Sequence, residues 1–559
     1  MQLIECVPNF SEGRDLNIIK QITDAVEAVE GVRLLNVDPG KATNRTVVTF
    51  VGEPERVIEA AYQAIKKAGE VIDMSKHTGE HPRMGATDVC PLIPISNISM
   101  EETAEYARRL AERVGNELNI PAYLYEYAQP DKKRSNLSVI RAGEYERFFK
   151  KIKQPEWKPD FGPAEFDAKR GGTVIGARDF LIAYNVNLNT TSVRRANSIA
   201  FDVREAGRVM REGDPINGKI INDENGKPRT IPGSLKSVKA IGWYIEEYGI
   251  AQISMNLTNI EVTPVHKAFD EVCTKANERG IRVTGSELVG LIPLKSMLDA
   301  GKYFLAKQQR STGVSEKELV RIAIKSMGLD ELSPFKPEER IIEYLLKDKS
   351  DSKLVSMSLT DFADETASES PAPGGGSISA YVGALGASLA AMVANLSSHK
   401  KGWDSRWAGF SGWADRGQHY KNELIKLVDQ DTIAFNKIMD VFALPKSTEE
   451  EKIARTQAIQ AATKYAIEVP FKVMKAAYQS MEVIKAMAET GNPNSVTDAG
   501  VAALCARTAV LGAHLNVKIN AGGYHDKDQI KELLSEADAL QQMAVDREAE
   551  IIAIVNGKI

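Results

Sequence analysis

The first part of the chain alternates between two hydrophobic periods. Short apolar runs predict strands, and apolar residues three and four positions apart predict amphipathic helices. In order, these patterns predict a strand at 2–7, a helix at 16–29, strands at 32–37 and 45–51, a helix at 55–72, a strand at 89–95, a helix at 101–118 and a strand at 122–127. This βαββαβ order with one added helix indicates an α+β layer, in which helices cover a sheet.

The same order of elements returns after a Pro- and Lys-rich passage at 153–172. The patterns now predict a strand at 180–188, a helix at 193–209, strands at 238–245 and 250–257, a helix at 265–279 and a strand at 281–284. We therefore expect two related α+β subdomains. Two further helices, at 319–329 and 337–346, are expected to close this half.

From residue 356 onwards the strand patterns cease and Ala-rich helical periods take over. These periods predict an all-α helix-bundle domain. Its helix over 378–396 is apolar on nearly every side, which a small bundle cannot bury alone, so we expect a homo-oligomer that pairs through this domain. The predicted domains are two subdomains at 1–178 and 179–330, a linker at 331–355 and the helix bundle at 356–559.

Composition and charge narrow the class of partner. The 559-residue chain has 43% hydrophobic and 26% charged residues and a formal net charge of −5, without long basic runs. This is ordinary globular usage and gives no basic patch for nucleic acid or an anionic membrane, so small molecules are the expected partners. The N-terminal residues do not resemble a secretory leader, and no segment is expected to stay apolar for the roughly 18 residues of a membrane span. Both features predict a cytoplasmic protein.

The segment from His77 to Arg83 concentrates ionisable groups, since it holds two histidines, Glu80 and Arg83 within seven residues. Its HxxEH pattern matches the inverted zinc-protease motif, which requires a continuous helix so that both histidines face one metal ion. Gly79 and Pro82 oppose such a helix, so a metal site is not expected. The four cysteines of the chain stand far apart without CxxC pairs, which predicts reduced thiols and no thiolate zinc site.

Two other interpretations of this segment remain open. Its histidines are either satisfied polar groups of a loop or members of an acid–base site, since they cluster with Glu80, Arg83 and Asp88. A neutral imidazole takes a proton from an attacking amine near pH 7 and returns it to a leaving group, and a carboxylate holds it in the required tautomer. We favour the catalytic interpretation, with Asp38 at the end of a predicted strand as a candidate partner.

Polar side chains follow one face of two predicted strands of the second subdomain. They are Asn185, Asn187 and Asn189 on one strand and Gln252, Ser254 and Asn256 on another. A buried sheet face is normally apolar, so these faces are solvated, form a polar contact between subdomains, or bind a ligand. Neutral amides suit a pterin ring, whose edge alternates hydrogen-bond donors and acceptors.

Three glycines, Gly374 to Gly376, precede Ser377 and the apolar helix of the second half. Ser377 is expected to cap this helix, and glycines before a helix N-terminus let backbone N–H groups approach an anion. The same run is also typical of a tight connection between two helices.

Two acids, Asp429 and Asp431, interrupt an apolar-periodic helix further along. An acid that points inward has a raised pKa and transfers protons near neutrality. An exposed helical acid is the alternative interpretation, and it carries no chemistry.

These motifs together resemble a known family. Residues 1–330 resemble formimidoyltransferase domains in the segments ECVPNFSEGR, NRTVVTFVGEP, DMSKHTGEHPRMGATDVCP, PDFGPAEF and GARDFLIAYNVNL. The remainder resembles the cyclodeaminase domain in the segments SPAPGGGS, LVDQDTIAFNKIM, ALPKSTEEEK and NVKIN. The resemblance covers nearly the whole chain. It implies two ferredoxin-like subdomains around a folate groove, followed by an all-helical domain that works as a dimer.

The resemblance also implies roles for individual residues. His81 is implied as the general base of the transferase, with Asp38 near it, and Asp431 as the catalytic acid of the cyclodeaminase. Folate contacts are implied for one continuous stretch, namely Gly162, Pro163, Ala164, Glu165, Phe166, Asp167, Ala168, Lys169, Arg170 and Gly171.

The implied reaction belongs to histidine degradation. The formimino group of N-formimino-L-glutamate passes to tetrahydrofolate, and the product cyclises to 5,10-methenyltetrahydrofolate with release of ammonia. Tetrahydrofolate, with or without a polyglutamate tail, is implied as a co-substrate, and no bound prosthetic group is implied. Two alternatives stay open, a helical domain that hydrolyses methenyltetrahydrofolate and an inactive folate-binding scaffold.

Overall fold

The computed structural model describes residues 2–79, 81–214, 218–346 and 353–559. Contacts divide the chain into two compact units. The first, here called the α+β unit, comprises Met1–Ala300 and Ala323–Leu346. The second, here called the helical unit, comprises Gly301–Ile322 and Lys347–Ile559.

The boundaries of these units differ from those expected from the sequence in two segments. Residues 301–322 belong to the helical unit, where Thr312 N donates to Ser411 Oγ at 2.9 Å and Asn395 Nδ2 donates to the Gly313 carbonyl at 2.8 Å. Residues 331–346 of the expected linker pack within the α+β unit. Its residues 347–352 lie outside the described part of the chain.

The first subdomain is built on a sheet of seven strands, with three long helices on one face and two short helices on the other. In the sheet β1 and β2 together form one interrupted strand, and the order is β3, β4, β1 with β2, β5, β7, β6. The strands are β1 (Leu3–Cys6), β2 (Asn9–Phe10), β3 (Val32–Gly40), β4 (Arg45–Gly52), β5 (Thr87–Ser96), β6 (Ala122–Glu126) and β7 (Thr173–Ala177). The helices are α1 (Leu16–Glu27), α2 (Pro54–Val71), α3 (Met100–Leu118), α4 (Leu137–Ile140) and α5 (Glu144–Lys151). The order β3, β4, β1, β5 is ferredoxin-like, and β7 and β6 extend it by parallel pairing.

Local sequence signals start these helices. The side chain of Asp15 caps α1, and Pro54 occupies the first turn of α2, where its missing N–H has no cost. Ser99 and Glu102 form a reciprocal capping box at α3. These signals explain why the predicted and observed helices nearly coincide here.

The second subdomain repeats the arrangement with an antiparallel sheet in the order β11, β12, β8, β13. Its strands are β8 (Ile182–Leu188), β9 (Arg208–Val209), β10 (Thr230–Ile231), β11 (Val238–Ile245), β12 (Ile250–Leu257) and β13 (Val283–Val289). The helices that follow in the chain are α6 (Val193–Val203), α7 (Val265–Asn277), α8 (Leu294–Lys307), α9 (Glu316–Met327), α10 (Pro337–Arg340) and α11 (Ile342–Leu346). The helix predicted at 193–209 ends early, because Arg204 turns to an extended conformation and Gly207 adopts a φ of 65°.

The helical unit contains a bundle of long helices. They are α12 (Leu359–Thr366), α13 (Gly375–Ser398), α14 (Trp407–Phe442), α15 (Glu449–Thr490), α16 (Val496–Ala521) and α17 (Lys527–Asn556). Small residues let the helices approach closely, as where Gly383 lies against Ala509 and Gly417 against Ala391. The predicted class, α+β followed by an all-α helix bundle, is confirmed.

Two stretches of this bundle, Gly375–Ser398 and Pro493–Ala521, are long and apolar enough to cross a membrane by length and composition. The expectation that no segment reaches such a length was wrong. In the apolar 18-residue segment of each stretch, 61% and 50% of the residues are buried inside the protein. The core helices of a bundle reach the same length and apolar composition.

Two candidate active sites

A groove of about 1070 Å³ lies between the two sheets of the α+β unit. Along β1 and β2 the side chains alternate, so that Glu5 and Asn9 face the groove while Ile4 and Phe10 face the core and are buried. The opposite wall is formed by strands of the second subdomain. A groove of this size, walled by convergent polar groups, is suited to a small-molecule ligand.

His81 lies in the loop between α2 and β5 and lines this groove. Its Nδ1 is 2.7 Å from the Pro82 carbonyl oxygen and 2.9 Å from Arg45 Nη1. A carbonyl oxygen only accepts hydrogen bonds, so the shorter contact places the ring proton on Nδ1. The guanidinium beside it opposes a second proton. His81 is therefore neutral, and the Nε2 lone pair is its basic site.

Arg45, Asp88 and Arg141 surround His81. Arg45 Nη1 donates to Asp88 Oδ2 at 2.5 Å, and Arg141 Nη2 lies 2.8 Å from the same oxygen. Burial opposes ionisation of Asp88, but the charges of Arg141 and Arg45 outweigh it and hold the pKa of Asp88 below its ordinary value. Burial first, and then the charges of Arg45 and Arg141, lower the pKa of His81 to about 3. The imidazole of the unliganded site thus stays neutral at physiological pH.

His77 has a structural role. Its Nε2 is 2.9 Å from the Asn44 carbonyl and therefore donates to it, while its Nδ1 accepts from Arg83 Nε at 3.2 Å. Residues 77–79 and 81–83 are not helical, so the two histidines do not share a helix face as the inverted zinc motif requires. Glu80 lies outside the described residues. Within the described part of the chain, no group of three or more His, Cys, Asp or Glu is placed to hold a metal ion.

Asp38 lines the same groove from β3 but has other partners. Its Oδ2 accepts from Gly290 N at 2.8 Å and from Arg340 Nη1 at 3.4 Å, so the carboxylate links the two subdomains. The carboxylate that reaches His81, through Arg45, is Asp88. The structure thus brings Asp38 into the groove of His81, but the Pro82 carbonyl contacts the ring nitrogen, and Asp88 reaches the ring only through Arg45.

The sequence alone does not single out Arg45 or Arg141. Arg45 is the charged first residue of the mostly buried strand β4, and this position was one signal, because a buried charge needs a counter-charge. Arg141 follows the four-residue helix α4, and no sequence pattern marks it as a site residue. Tertiary folding alone places it beside Asp88.

The stretch from Gly162 to Gly171 does not line this groove. Arg170 donates to Asp167 Oδ2 at 2.6 Å and to the Leu118 carbonyl at 2.7 Å, which holds the stretch against the helices of the first subdomain. The Arg170 carbonyl accepts from Ala86 N at 2.8 Å. The stretch therefore supports the loop that carries His81 from behind, and its expected contact with folate stays a prediction.

The polar faces of β8 and β12 lie on the groove wall, which Asn185, Gln252, Ser254 and Asn256 line. Gln252 is fully buried, and its Nε2 donates to Asn187 Oδ1 at 2.8 Å and to Glu287 Oε2 at 3.2 Å. Asn189 lies outside this network, and its Oδ1 accepts from Arg282 N at 2.8 Å. The polar pattern thus marks a wall between subdomains.

The second candidate site lies where the middle of α14 meets the N-terminus of α13. Asp431 Oδ2 accepts a hydrogen bond of 3.0 Å from Ser377 Oγ, and Gly376 packs directly against the carboxylate. Burial raises the pKa of Asp431, and hydrogen bonds from the side chain and backbone of Ser377 only partly offset this. A carboxylic acid with a raised pKa is suited to protonate a leaving group.

The expectation that Ser377 caps α13 was wrong. The helix begins at Gly375 with Gly374 as its N-cap, and Ser377 lies in the first turn, with its Oγ 3.0 Å from both Asp431 Oδ2 and the Val428 carbonyl. The glycines let the backbone enter the helix early, so the free N–H groups of the first turn face Asp431. The anion at this helix N-terminus is the chain's own carboxylate.

Asp429 also points inward, to a different partner. It is buried and accepts a hydrogen bond of 2.8 Å from Leu354 N, which fixes the chain that enters the helical unit. The two acids of the motif thus have different partners among the described residues, Leu354 N for Asp429 and the first turn of α13 for Asp431.

Replacing Gly376 with alanine is expected to abolish the chemistry of the second site. The added Cβ would overlap Oδ1 of Asp431 and displace the carboxylate, and such overpacking costs about 1–3 kcal/mol of stability. Gly375→Ala is the matched control, because its Cβ would only touch Asn516 Nδ2 at 3.5 Å. Rates of the second site and melting temperatures of both variants check this. Equal rates for the two variants would contradict the proposed contact.

The fold and the two sites define a class. One unit holds a neutral histidine base in a groove between two sheets, and the other holds a carboxylic acid at a helix N-terminus. The chain has the features of a two-site enzyme, with one candidate acid–base group in each unit.

Comparisons with known proteins identify the family. The family model described as "Formiminotransferase domain, N-terminal subdomain" matches residues 3–178, "Formiminotransferase domain" matches residues 183–347, and "Formiminotransferase-cyclodeaminase" matches residues 358–539. The chain belongs to the formimidoyltransferase-cyclodeaminase family.

Relatives match either the whole chain or one of its halves. Formimidoyltransferase-cyclodeaminase of Mus musculus is 44% identical over 520 residues, 93% of this chain and 92% of the mouse protein. Glutamate formimidoyltransferase of Thermoplasma acidophilum is 42% identical over 307 residues, 55% of this chain and 93% of that protein. Methenyltetrahydrofolate cyclohydrolase of Methylorubrum extorquens is 36% identical over 198 residues, 35% of this chain and 95% of that protein.

Proposed function

We propose that this chain is a bifunctional folate enzyme of histidine degradation. Its α+β unit transfers the formimino group from N-formimino-L-glutamate to N5 of tetrahydrofolate and releases glutamate. Its helical unit then converts 5-formimidoyltetrahydrofolate to 5,10-methenyltetrahydrofolate and ammonia. The observation that carries the proposal is a neutral His81 in the groove of a chain that matches the family over both halves.

In the transfer step, tetrahydrofolate N5 attacks the formimino carbon. The Nε2 lone pair of His81 takes the N5 proton as the new C–N bond forms. The bond from the formimino carbon to the glutamate nitrogen then breaks, and the same proton passes from Nε2 to the departing nitrogen. The Nδ1 proton stays hydrogen-bonded to the Pro82 carbonyl throughout, which holds the ring in the required tautomer.

In the second step, N10 of the folate attacks the same carbon from within the molecule. The proton that N10 loses and the proton of protonated Asp431 together convert the terminal nitrogen to ammonia, and the bond from the carbon to that nitrogen breaks, which leaves the methenyl cation. Ser377 Oγ donates to the carboxylate once it is ionised. Neither step requires a bound prosthetic group, and tetrahydrofolate takes part as a co-substrate.

A helical unit that hydrolyses methenyltetrahydrofolate is the second candidate, favoured by the similarity to the Methylorubrum extorquens protein. Ammonia release separates the two functions. Supplied with tetrahydrofolate and N-formimino-L-glutamate, the proposed enzyme forms the methenyltetrahydrofolate absorbance band together with one equivalent of ammonia. A cyclohydrolase-type unit releases no ammonia, and a protein that binds folate without turnover would indicate an inactive scaffold.

We further propose a cytoplasmic homo-oligomer that pairs through α13 and α16. These two helices pack together and still expose large apolar side chains, including Leu385 and Leu396 on α13 and Leu515 and Ile519 on α16. Such a face is unfavourable in water unless a second copy covers it.

Charges introduced on this face are expected to dissociate the oligomer. We predict that Leu515→Glu combined with Ile519→Glu gives a smaller species in light scattering coupled to size-exclusion chromatography. Leu359→Glu is the control, because Leu359 is 74% exposed but lies on α12. An unchanged mass of the double variant would rule this face out as the interface.

A further inference from the structure

Arg141 has buried side-chain hydrogen-bond donors that no described residue accepts. Its side chain is 12% exposed and lines the groove beside His81. Nε and Nη2 are buried, and neither has a hydrogen-bond partner among the described residues. The contact with Asp88 at 2.8 Å is an ion pair without hydrogen-bond alignment. Buried donors without acceptors cost free energy unless a ligand supplies the acceptors.

Each of the three guanidinium nitrogens of Arg45, by contrast, has a hydrogen-bond acceptor. Its Nε and Nη2 donate to Asn9 Oδ1 at 2.9 and 2.6 Å, and its Nη1 donates to Asp88 Oδ2 at 2.5 Å. The other oxygen of Asp88 accepts from Met84 N at 3.0 Å. One carboxylate therefore faces two guanidinium groups, which leaves an excess positive charge at Arg141.

We propose that Arg141 binds the α-carboxylate of N-formimino-L-glutamate and thereby positions the donor for transfer. This inference rests on the proposed transferase function. The α-carboxylate is attached to the carbon that bears the leaving nitrogen, so it lies closer to the formimino carbon than the γ-carboxylate does. Arg141 is joined to His81 by the Asp88–Arg45 pair, through contacts of 2.8, 2.5 and 2.9 Å. A carboxylate on Arg141 thus keeps the leaving nitrogen near the base.

Donor binding at Arg141 also strengthens the base. In the unliganded groove the charge of Arg141 contributes to the low pKa of His81. A bound carboxylate offsets this charge, so the pKa of His81 rises toward the operating pH in the complex that uses it. Arg141 thereby couples recognition of the donor to proton transfer.

The first measurement is the steady-state kinetics of full-length Arg141→Gln with each substrate varied in turn. We expect kcat/KM for N-formimino-L-glutamate to fall about 100-fold and its KM to rise, with the KM for tetrahydrofolate unchanged. Arg141→Lys keeps the charge but not the bidentate geometry, so its kcat/KM for N-formimino-L-glutamate should lie between the values of wild type and Arg141→Gln. Arg134→Gln is the matched control, because Arg134 is a mostly buried arginine of the same subdomain that does not line the groove.

Shortened donors then test which carboxylate is bound. N-formimino-γ-aminobutyrate lacks the α-carboxylate, and N-formimino-2-aminobutyrate lacks the γ-carboxylate. Loss of the α-carboxylate should cost wild type about 100-fold in kcat/KM but cost Arg141→Gln no more than about threefold, because the partner is already missing. Loss of the γ-carboxylate should cost both proteins the same factor.

The assignment would be overturned if wild type and Arg141→Gln lost the same factor in kcat/KM on the donor without the α-carboxylate. It would also be overturned if the two proteins differed instead on the donor without the γ-carboxylate. An unchanged KM for tetrahydrofolate shows that each variant is folded in its α+β unit, and Arg141→Lys keeps the test open if the glutamine variant fails to fold. Wild-type protein that transfers the formimino group from none of the donors would contradict the proposed function itself, and this result is distinct from unchanged kinetics of Arg141→Gln.

Discussion

Replacing His81 with alanine is expected to slow formimino transfer by about 100- to 10,000-fold, the usual contribution of a positioned general base. The side chain is the one imidazole of its loop whose Nδ1 is held by a backbone carbonyl and whose ring lines the groove. Glutamate release from N-formimino-L-glutamate measures the loss. The second site is untouched, so supplied 5-formimidoyltetrahydrofolate should still give methenyltetrahydrofolate and ammonia at the wild-type rate.

His77→Ala is the control for this variant. His77 belongs to the same loop, but its ring nitrogens contact the Asn44 carbonyl and Arg83, and it does not line the groove. We expect it to lower the melting temperature while transfer stays within about tenfold of wild type. A His81→Ala protein that transfers as fast as His77→Ala would exclude His81 as the base.

Replacing Asp431 with asparagine is expected to stop the second step and accumulate 5-formimidoyltetrahydrofolate. Asparagine keeps the shape and accepts the Ser377 hydrogen bond, but it has no proton to give to the leaving nitrogen. The rate of ammonia release should fall about 100-fold or more, whereas glutamate release continues. In wild type, the raised pKa of Asp431 keeps more of the acid protonated near neutrality, so ammonia release should decline as the pH rises through that pKa.

Asp429→Asn separates catalysis from folding on the same helix. Asparagine at position 429 still accepts from Leu354 N in this buried site, so the variant is expected to lose no more than about 1 kcal/mol of unfolding free energy and little activity. Asp431→Asn should melt close to wild type. If Asp429→Asn blocks ammonia release as completely as Asp431→Asn in folded protein, the assignment of the acid to Asp431 is wrong.

Element prediction succeeded where local signals agree with the burial pattern. The predicted strands at 238–245 and 250–257 coincide with β11 and β12, because their alternation and flanking turns are encoded locally. It failed where a remote contact decides the outcome. The helix expected to reach 209 stops at Val203, and Arg208 and Val209 pair instead with residues 230–231. Sequence periodicity carries no information about such a distant partner.

The candidate sites divide in the same way. Clustering in the sequence pointed to the loop of His77 and His81, and an apolar helix interrupted by acids pointed to Asp429 or Asp431, while the family resemblance implied His81 and Asp431. The partners of these residues came only from the structure. Asp88 rather than Asp38 forms the ion pair beside His81, and the anion that meets the glycine run is Asp431 itself.

By itself the sequence determined the class of both halves, the repeated βαββαβ order and the segments that carry ionisable groups, because periodicity, capping and turn chemistry are local properties. Only the tertiary structure decided which charges meet. Arg45 and Arg141 come from separate elements to one buried carboxylate, and Ser377 and Asp431 come from two helices to one hydrogen bond. Such pairings depend on long-range packing, which places residues far apart in the chain within bonding distance and sets the protonation state of His81.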